Sequence, residues 1–181
     1  IYEMPLVMKE NFLKKIHTNA NKMSQIIDKL RLTLKFEEGK QELILTPCPI
    51  KKILDDIIPD LKEKYKNREI VITGSDINLK VDETLISMAI SNLIENALKY
   101  SEDEVIVELT KDSIVVKDRG IGIEESDLSK INQKFYRVSK NGWNNSLGLG
   151  LFIVYSILKL HKFELKINSE INVGSEFKIV Y

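Results

Sequence analysis

The sequence predicts an α+β fold: a two-layer α/β sandwich, one mixed sheet with helices on one face, preceded by a long heptad-patterned helix. Two observations carry this. Leu13, Ile16, Ala20, Met23, Ile27, Leu30 and Leu34 recur at alternating steps of three and four, which is the a/d seam of a coiled coil. Beyond Gly39, segments of strand and helix periodicity come in runs and not in regular βαβ alternation, which favours a mixed sheet with its helices segregated.

The seam over residues 11–38 is narrow, and its other face is Lys, Asn, Gln and Asp. Such a helix needs a partner helix to bury its stripe. Upstream, Met4 to Glu10 around Pro5 reads as a hairpin loop, with Ile1 to Glu3 as the last turn of an earlier helix, so the chain reads as a piece of something longer. Gly39 supplies a stop. This divides the chain into a helical part, 1–39, and an α/β part, 40–181.

In the second part, Glu42 to Thr46 reads as a short strand. Pro47 and Pro49 then open a helix with Ile50, Ile53, Leu54, Ile57, Ile58 and Leu61 on one face. Pro59 should kink or end it. Strands at Glu69–Thr73 and Ile77–Val81 are joined by the turn Gly74-Ser75-Asp76. Asp82 can cap a helix running to about Tyr100. Strands at Val105–Leu109 and Ile114–Lys117 flank Lys111-Asp112. A glycine turn, a short helix near Asp127, a polar loop and a helix from about Leu149 to His161 follow. Strands at Glu164–Asn168 and Glu176–Val180 flank a turn with Gly174.

Composition narrows the function. Lys+Arg and Asp+Glu both number 27, so the net charge is zero and general attraction to nucleic acid or a membrane surface has no support. No stretch reaches the ~20 apolar residues of a bilayer span. The single cysteine, Cys48, reads as a half-buried thiol, and two histidines are too few for a histidine metal site.

Four segments carry chemistry. In Asn92-Leu93-Ile94-Glu95-Asn96-Ala97-Leu98-Lys99-Tyr100, the polar Asn92, Asn96 and Lys99 share one helical face. Amide oxygens suit Mg²⁺ that keeps waters and phosphate oxygens, and a lysine one turn on can neutralise phosphate; a solvated helix face is the plainer reading. Asp118-Arg119-Gly120-Ile121-Gly122-Ile123 follows a strand. It lacks the third glycine and βαβ setting of the dinucleotide fingerprint, but its glycines allow close backbone approach and an ionised Asp can accept from an exocyclic amine. A tight turn with a capping Asp would look the same. Phe135-Tyr136-Arg137-Val138 holds one of only four arginines. It offers a phosphate fork, or an aromatic core with a surface Arg. Gly148-Leu149-Gly150-Leu151 opens a helix, where free N–H groups favour an anion. The polar stretch Ser139 to Leu147 before it reads as a mobile lid.

In order and spacing these segments resemble the N box, first glycine box, F box and second glycine box of the histidine-kinase branch of the Bergerat-fold ATPases. Gly174-Ser175-Glu176-Phe177 resembles the last glycine box. The resemblance covers 40–181, and residues 1–39 look like the end of the family's dimerisation hairpin. It implies the ATP-binding catalytic domain of a sensor histidine kinase, the cytoplasmic part of a membrane-anchored bacterial sensor. It implies Mg-ATP as cofactor, a homodimer through the helical hairpin, and a response regulator as partner. By position, Asn96 would hold Mg²⁺ with Asn92 on the phosphate side. Lys99 would touch phosphates and Tyr100 would line the pocket. Asp118 would read the adenine amine, with Gly120, Gly122 and Ile123 shaping the floor. Phe135 and Arg137 would lie beside the nucleotide, Arg137 toward the γ-phosphate. Gly148, Leu149, Gly150 and Leu151 would cover the phosphates, and Ser175 would contact adenine where the family often has Thr.

Two departures stand out. Ser146-Leu147 replaces the usual glycine and hydroxyl residue before Gly148, which motivates a non-catalytic nucleotide-sensing or pseudokinase scaffold as the alternative. The acceptor histidine of the family lies in the first hairpin helix; His17, beside Lys15 and Thr18, does not match its surroundings. Gyrase-like relatives place a Glu where Asn92 stands. An amide cannot serve as base for hydrolysis, so Asn92 favours transfer to a protein nucleophile. A serine kinase of the same fold is a third reading, which the heptad seam disfavours.

Overall fold

The computed structural model describes residues 5–138 and 147–181. The chain divides into two units, Ile1–Gln41 and Glu42–Tyr181. The first is one helix, α1 (Leu6–Glu37), which leaves Leu13, Met23, Ile27 and Leu34 of the seam more than half exposed. It starts at Leu6, so residues 6–10 are helix and not the expected loop. Pro5 immediately precedes the helix, where its missing N–H costs nothing, and its carbonyl accepts from Met8 N and Lys9 N. The helix ends as read: Gly39 takes φ +63°, and Lys40 N–H closes back on Lys35 O at 3.1 Å. Residues 1–4 lie outside the described residues.

The second unit is a five-stranded sheet with helices α2 (Ile50–Lys64), α3 (Glu83–Tyr100) and α5 (Gly150–His161), plus a two-stranded ribbon and a single-turn α4 (Glu125–Leu128). The sheet runs β2-β4-β5-β7-β6, built from β2 (Ile70–Gly74), β4 (Val105–Leu109), β5 (Ser113–Asp118), β6 (Glu164–Glu170) and β7 (Gly174–Val180). Only β2 with β4 is parallel; the other three pairs are antiparallel. This is the mixed sheet of an α+β sandwich.

Register explains the two faces. Leu109, Ile114, Ile179 and Leu165 form one cross-strand row, and Val107, Val116, Phe177 and Ile167 the next. These rows carry most of the sheet's buried side chains, against α3 and α5. The opposite face carries Glu108, Lys117 and Glu176, with Lys117 Nζ 2.8 Å from Glu108 and 3.4 Å from Glu176. Apolar residues inward and ion pairs outward are the pattern of a sheet covered on one side.

Several local expectations are corrected. The strand expected at 42–46 lies instead at β1 (Thr46–Pro49), antiparallel to β3 (Asn78–Val81); a two-stranded ribbon has open edges that tolerate Pro47 and Pro49. The strands on either side of Gly74-Ser75-Asp76 do not pair with each other, because β2 joins the main sheet and β3 the ribbon. Pro59 does not end α2, which continues to Lys64. A helix proline costs about 3 kcal/mol, and burying Ile50, Ile53, Leu54 and Leu61 at roughly 1.5–3 kcal/mol each outweighs it. Cys48 is 1% exposed, fully buried and not half-buried.

Both ends of α3 are fastened. Asp82 Oδ1 accepts from Leu85 N and its Oδ2 from Ile44 N, both at 3.1 Å. Asp82 N–H donates to His161 Nε2 at 3.0 Å, while His161 Nδ1 sits 2.8 Å from Ile157 O. His161 therefore ties the start of α3 to the end of α5. At the other end, Arg68 donates to Leu98 O (2.8 Å), Ser101 O (2.5 Å), Ser101 Oγ (3.0 Å) and Asp103 O (2.6 Å). It caps carbonyls that the helix leaves without partners. Arg68→Met, which keeps the bulk, is expected to lower the unfolding free energy by about 1–2 kcal/mol, read from urea midpoints at constant m.

Candidate nucleotide site

The two apolar rows of the sheet are followed by a polar one. Asp118 on β5 pairs with Ser175 on β7, which pairs with Ser169 on β6. Period-2 alternation puts all three on the helix-facing side, at the end of the core. Asp118 accepts from Gly120 N at 2.8 Å and from Ser175 N. Burial pushes its carboxyl above the ordinary carboxylate range, and these two N–H groups oppose the rise. Ser169 Oγ lies 2.9 Å from Ser175 Oγ and accepts from Ile123 N at 2.9 Å, so the Ile123 amide is already engaged.

Glycines let this row sit in a tight cradle. A Cβ at Gly120 would stand 2.1 Å from Tyr100 O, one at Gly122 (φ +67°) 2.0 Å from Glu170 O, and one at Gly174 (φ +134°) 2.1 Å from Asp118 O. Ile121 N–H also reaches Tyr100 O at 3.1 Å. The segment after β5 is thus clamped between the end of α3 and the β6–β7 turn, which brings Tyr100, half-buried, beside the Asp118 loop.

On α3, Asn92 is 8% exposed and spends its Nδ2 on Met88 O at 2.8 Å. Its Oδ1 faces Gly150, where a Cβ would stand 3.3 Å away. The N box therefore abuts the start of α5. That helix has no side-chain cap, so first-turn N–H groups of Gly150 and Leu151 are left for an anion. Leu149 is 1% exposed; its side chain belongs to the core, and only its backbone could serve a ligand. Asn96 is half-buried, one turn on from Asn92. Lys99 is held by Glu95 at 3.1 Å. Glu95 also takes Lys64 Nζ and Tyr65 OH.

The F box meets the second glycine box directly. Phe135 N–H donates to Gly148 O at 3.0 Å, and a Cβ at Gly148 (φ +67°) would stand 2.6 Å from Tyr136 O. Phe135 is 58% exposed, with φ +63°. Tyr136 OH donates to Asp127 at 2.7 Å, and Arg137 is exposed. Residues 139–146, including Ser146 and most of the expected lid, lie outside the described residues; Leu147 is exposed.

Sequence reasoning missed Ser169, Glu95 and Arg68. Glu95 and Lys99 at i,i+4 were legible as a pair. Ser169 and Arg68 carried no local signal, because their partners lie on other elements.

An acceptor-bearing row, a glycine cradle and an uncapped helix start beside a buried Asn are features that a nucleotide-binding ATPase domain would use. Residues 81–181 match the family described as histidine kinase-, DNA gyrase B-, and HSP90-like ATPase, and the chain belongs to that family. It is 27% identical over 182 residues to sensor histidine kinase AtsR of Burkholderia thailandensis, covering 92% of this chain and 30% of that protein. It is 30% identical over 176 residues to the phosphate regulon sensor protein PhoR of Pseudomonas aeruginosa, covering 91% of this chain and 40% of that one. The chain thus spans well under half the length of these relatives. The solved structure of full-length ShkA in complex with AMPPNP superposes with TM-score 0.80 at 18% identity, over 98% of this chain and 39% of that one, a likeness of fold.

Asp118 offers an acceptor for an amine, and the uncapped start of α5 offers donors for phosphate. Among the described residues no cluster of three His, Cys, Asp or Glu side chains could hold a metal. No helix among the described residues is long and apolar enough to cross a membrane.

Proposed function

We propose that this chain is the ATP-binding catalytic part of a sensor histidine kinase, passing the γ-phosphate of Mg-ATP to a histidine for relay to a response regulator. The observation that carries the reading is Asn92. Buried at the start of α5 with its Nδ2 engaged, it offers an amide oxygen beside the phosphate donors and no base for hydrolysis. Bound ATP would supply the transferable phosphoryl group. Asp118 and Ser175 bind the purine, with Gly120, Gly122 and Ile123 forming the floor and Tyr100 the wall. Asn96 takes Mg²⁺, and the backbone at Gly148 to Leu151 takes phosphate. Lys99 and Arg137 add positive charge, with Phe135 beside the nucleotide. Catalysis in this arrangement is positioning plus charge neutralisation.

Neither histidine suits the acceptor role. His161 has both ring nitrogens engaged, and His17 lies by Asn21 on α1 with no acid next to it. The acceptor comes from outside these residues, and the exposed seam of α1 is the contact through which two protomers pair. The whole protein is a membrane-anchored sensor with this part in the cytoplasm.

The test is a longer chain that restores the preceding helix, incubated with γ-labelled ATP and Mg²⁺. Acid-labile, alkali-stable label on a protein that sediments as a dimer is expected. ATP binding with no label would mean a non-catalytic nucleotide sensor, and a monomer would remove the seam from the reading.

A further inference from the structure

The polar row at the end of the sheet does more than expose three side chains, because its hydrogens can be counted. A serine hydroxyl has one hydrogen to donate and two lone pairs. Ser169 Oγ has three neighbours: Gly174 O at 3.0 Å, Ile123 N at 2.9 Å and Ser175 Oγ at 2.9 Å. Gly174 O can only accept and Ile123 N–H can only donate. A carbonyl is the better acceptor, so the Ser169 proton goes to Gly174 O, and Ile123 N–H takes one lone pair. The remaining lone pair can only accept, so the shared bond must be donated by Ser175. Ser175 then has no proton left and presents lone pairs alone. Its neighbour Asp118, ionised and fixed by Gly120 N and Ser175 N, is also acceptor-only.

We propose that Ser169 is a positioning residue for nucleotide choice: by drawing the Ser175 proton away from the pocket, it makes the Asp118–Ser175 row accept from a 6-amino purine and reject a purine with an acceptor at that position. This rests on the ATP-site reading above. An exocyclic amine has two hydrogens, and the row has two acceptors for them, directly or through one water. An oxygen at the same place would meet lone pairs directly and could be accommodated only by a water that spends both hydrogens between acceptors, and a site whose buried polar groups are left poorly paired discriminates strongly. Ser169 itself need never touch the nucleotide.

The test compares ATP with 6-methoxypurine riboside triphosphate, which swaps the amine for an ether oxygen and leaves the ring nitrogens as acceptors. Affinities are measured by titration calorimetry. The unmodified chain should prefer ATP by about 100-fold or more. Ser169→Ala frees the Ser175 proton to turn toward the ligand, so the preference should narrow about tenfold. In a Ser175→Ala background, Ser169→Ala should leave the preference unchanged, because the residue it acts through is gone. Equal losses for both nucleotides in Ser169→Ala would mean that Ser169 merely supports the Ile123 loop, and would overturn the proposal. Ser175→Ala alone gives a second check if Ser169→Ala does not fold. It should weaken ATP and spare the methoxy analogue; a larger loss for the analogue would show Ser175 donating, and would sink the idea. If the unmodified chain binds neither nucleotide, the ATP reading fails, and not this step alone.

Discussion

Asp118→Asn is expected to weaken ATP binding at least about 100-fold while leaving the fold intact. The two side chains are nearly the same size, and the amide oxygen can keep the Gly120 N–H bond at 2.8 Å. What changes is the other arm. The carboxylate is an acceptor on both oxygens; the amide turns an NH₂ either toward the purine amine or toward the Ser175 N–H that the carboxylate now accepts. Either way two donors face each other in a half-buried place. The pH dependence follows from the same group. Only the ionised carboxyl accepts on both oxygens, so tight binding belongs to pH above its pKa and is lost as pH falls through it. Burial raises that pKa, against the pull of Gly120 and Ser175 N–H. The acid loss of affinity should therefore begin at a higher pH than for an ordinary aspartate, and should vanish in Asp118→Asn. Titration calorimetry of both proteins across the acid range reads this directly. Unchanged affinity in the variant would remove Asp118 from the purine site.

The fold was legible where local pattern and tertiary packing agree. Asp82 before a 3.6-period stripe gave α3 its start, and the strand read at Val105–Leu109 is β4. The errors came where long-range pairing decides. Gly74 looked like a hairpin turn, but a Cβ there would stand 1.9 Å from Leu109 O; it is a close crossing to β4, a strand some thirty residues on. Prolines 47 and 49 read as the opening of a helix because nothing local reveals that Val81 and Leu79 lie across from Thr46 and Cys48. The site was legible as boxes, since each glycine and Asp118 is marked by its own neighbours. It was not legible as a row. Ser169 gains its place only when β6 registers on β7, with Ser169 opposite Ser175.

Glu95→Gln is expected to cost about 2 kcal/mol of stability at neutral pH, and to remove the Glu95 share of the acid sensitivity of folding between pH 4.5 and 2. The Glu95 side chain is 14% exposed and its Oε1 takes Lys64 Nζ at 2.5 Å, Lys99 Nζ at 3.1 Å and Tyr65 OH at 3.0 Å. Burial alone would raise the carboxyl. The Lys64 hydrogen bond and the Lys99 and Lys64 charges together outweigh it, and hold the group at about 2 against an ordinary 4.5. A carboxyl lowered on folding stabilises the native state above its unfolded value and loses that contribution as pH falls toward its folded value. At 1.36 kcal/mol for each pH unit the gap corresponds to about 3 kcal/mol. Lys64 is 55% exposed, so solvent screening trims this toward 2. Glutamine keeps the size and can still bond Tyr65, but it has no charge for two ammonium groups. The parent should therefore be the more stable protein at pH 7, and the two urea midpoints should converge as pH approaches 2. A gap that stays constant across that window would mean the carboxylate is not held by charge, and that Lys99 is not tethered to α3 by its own neighbour.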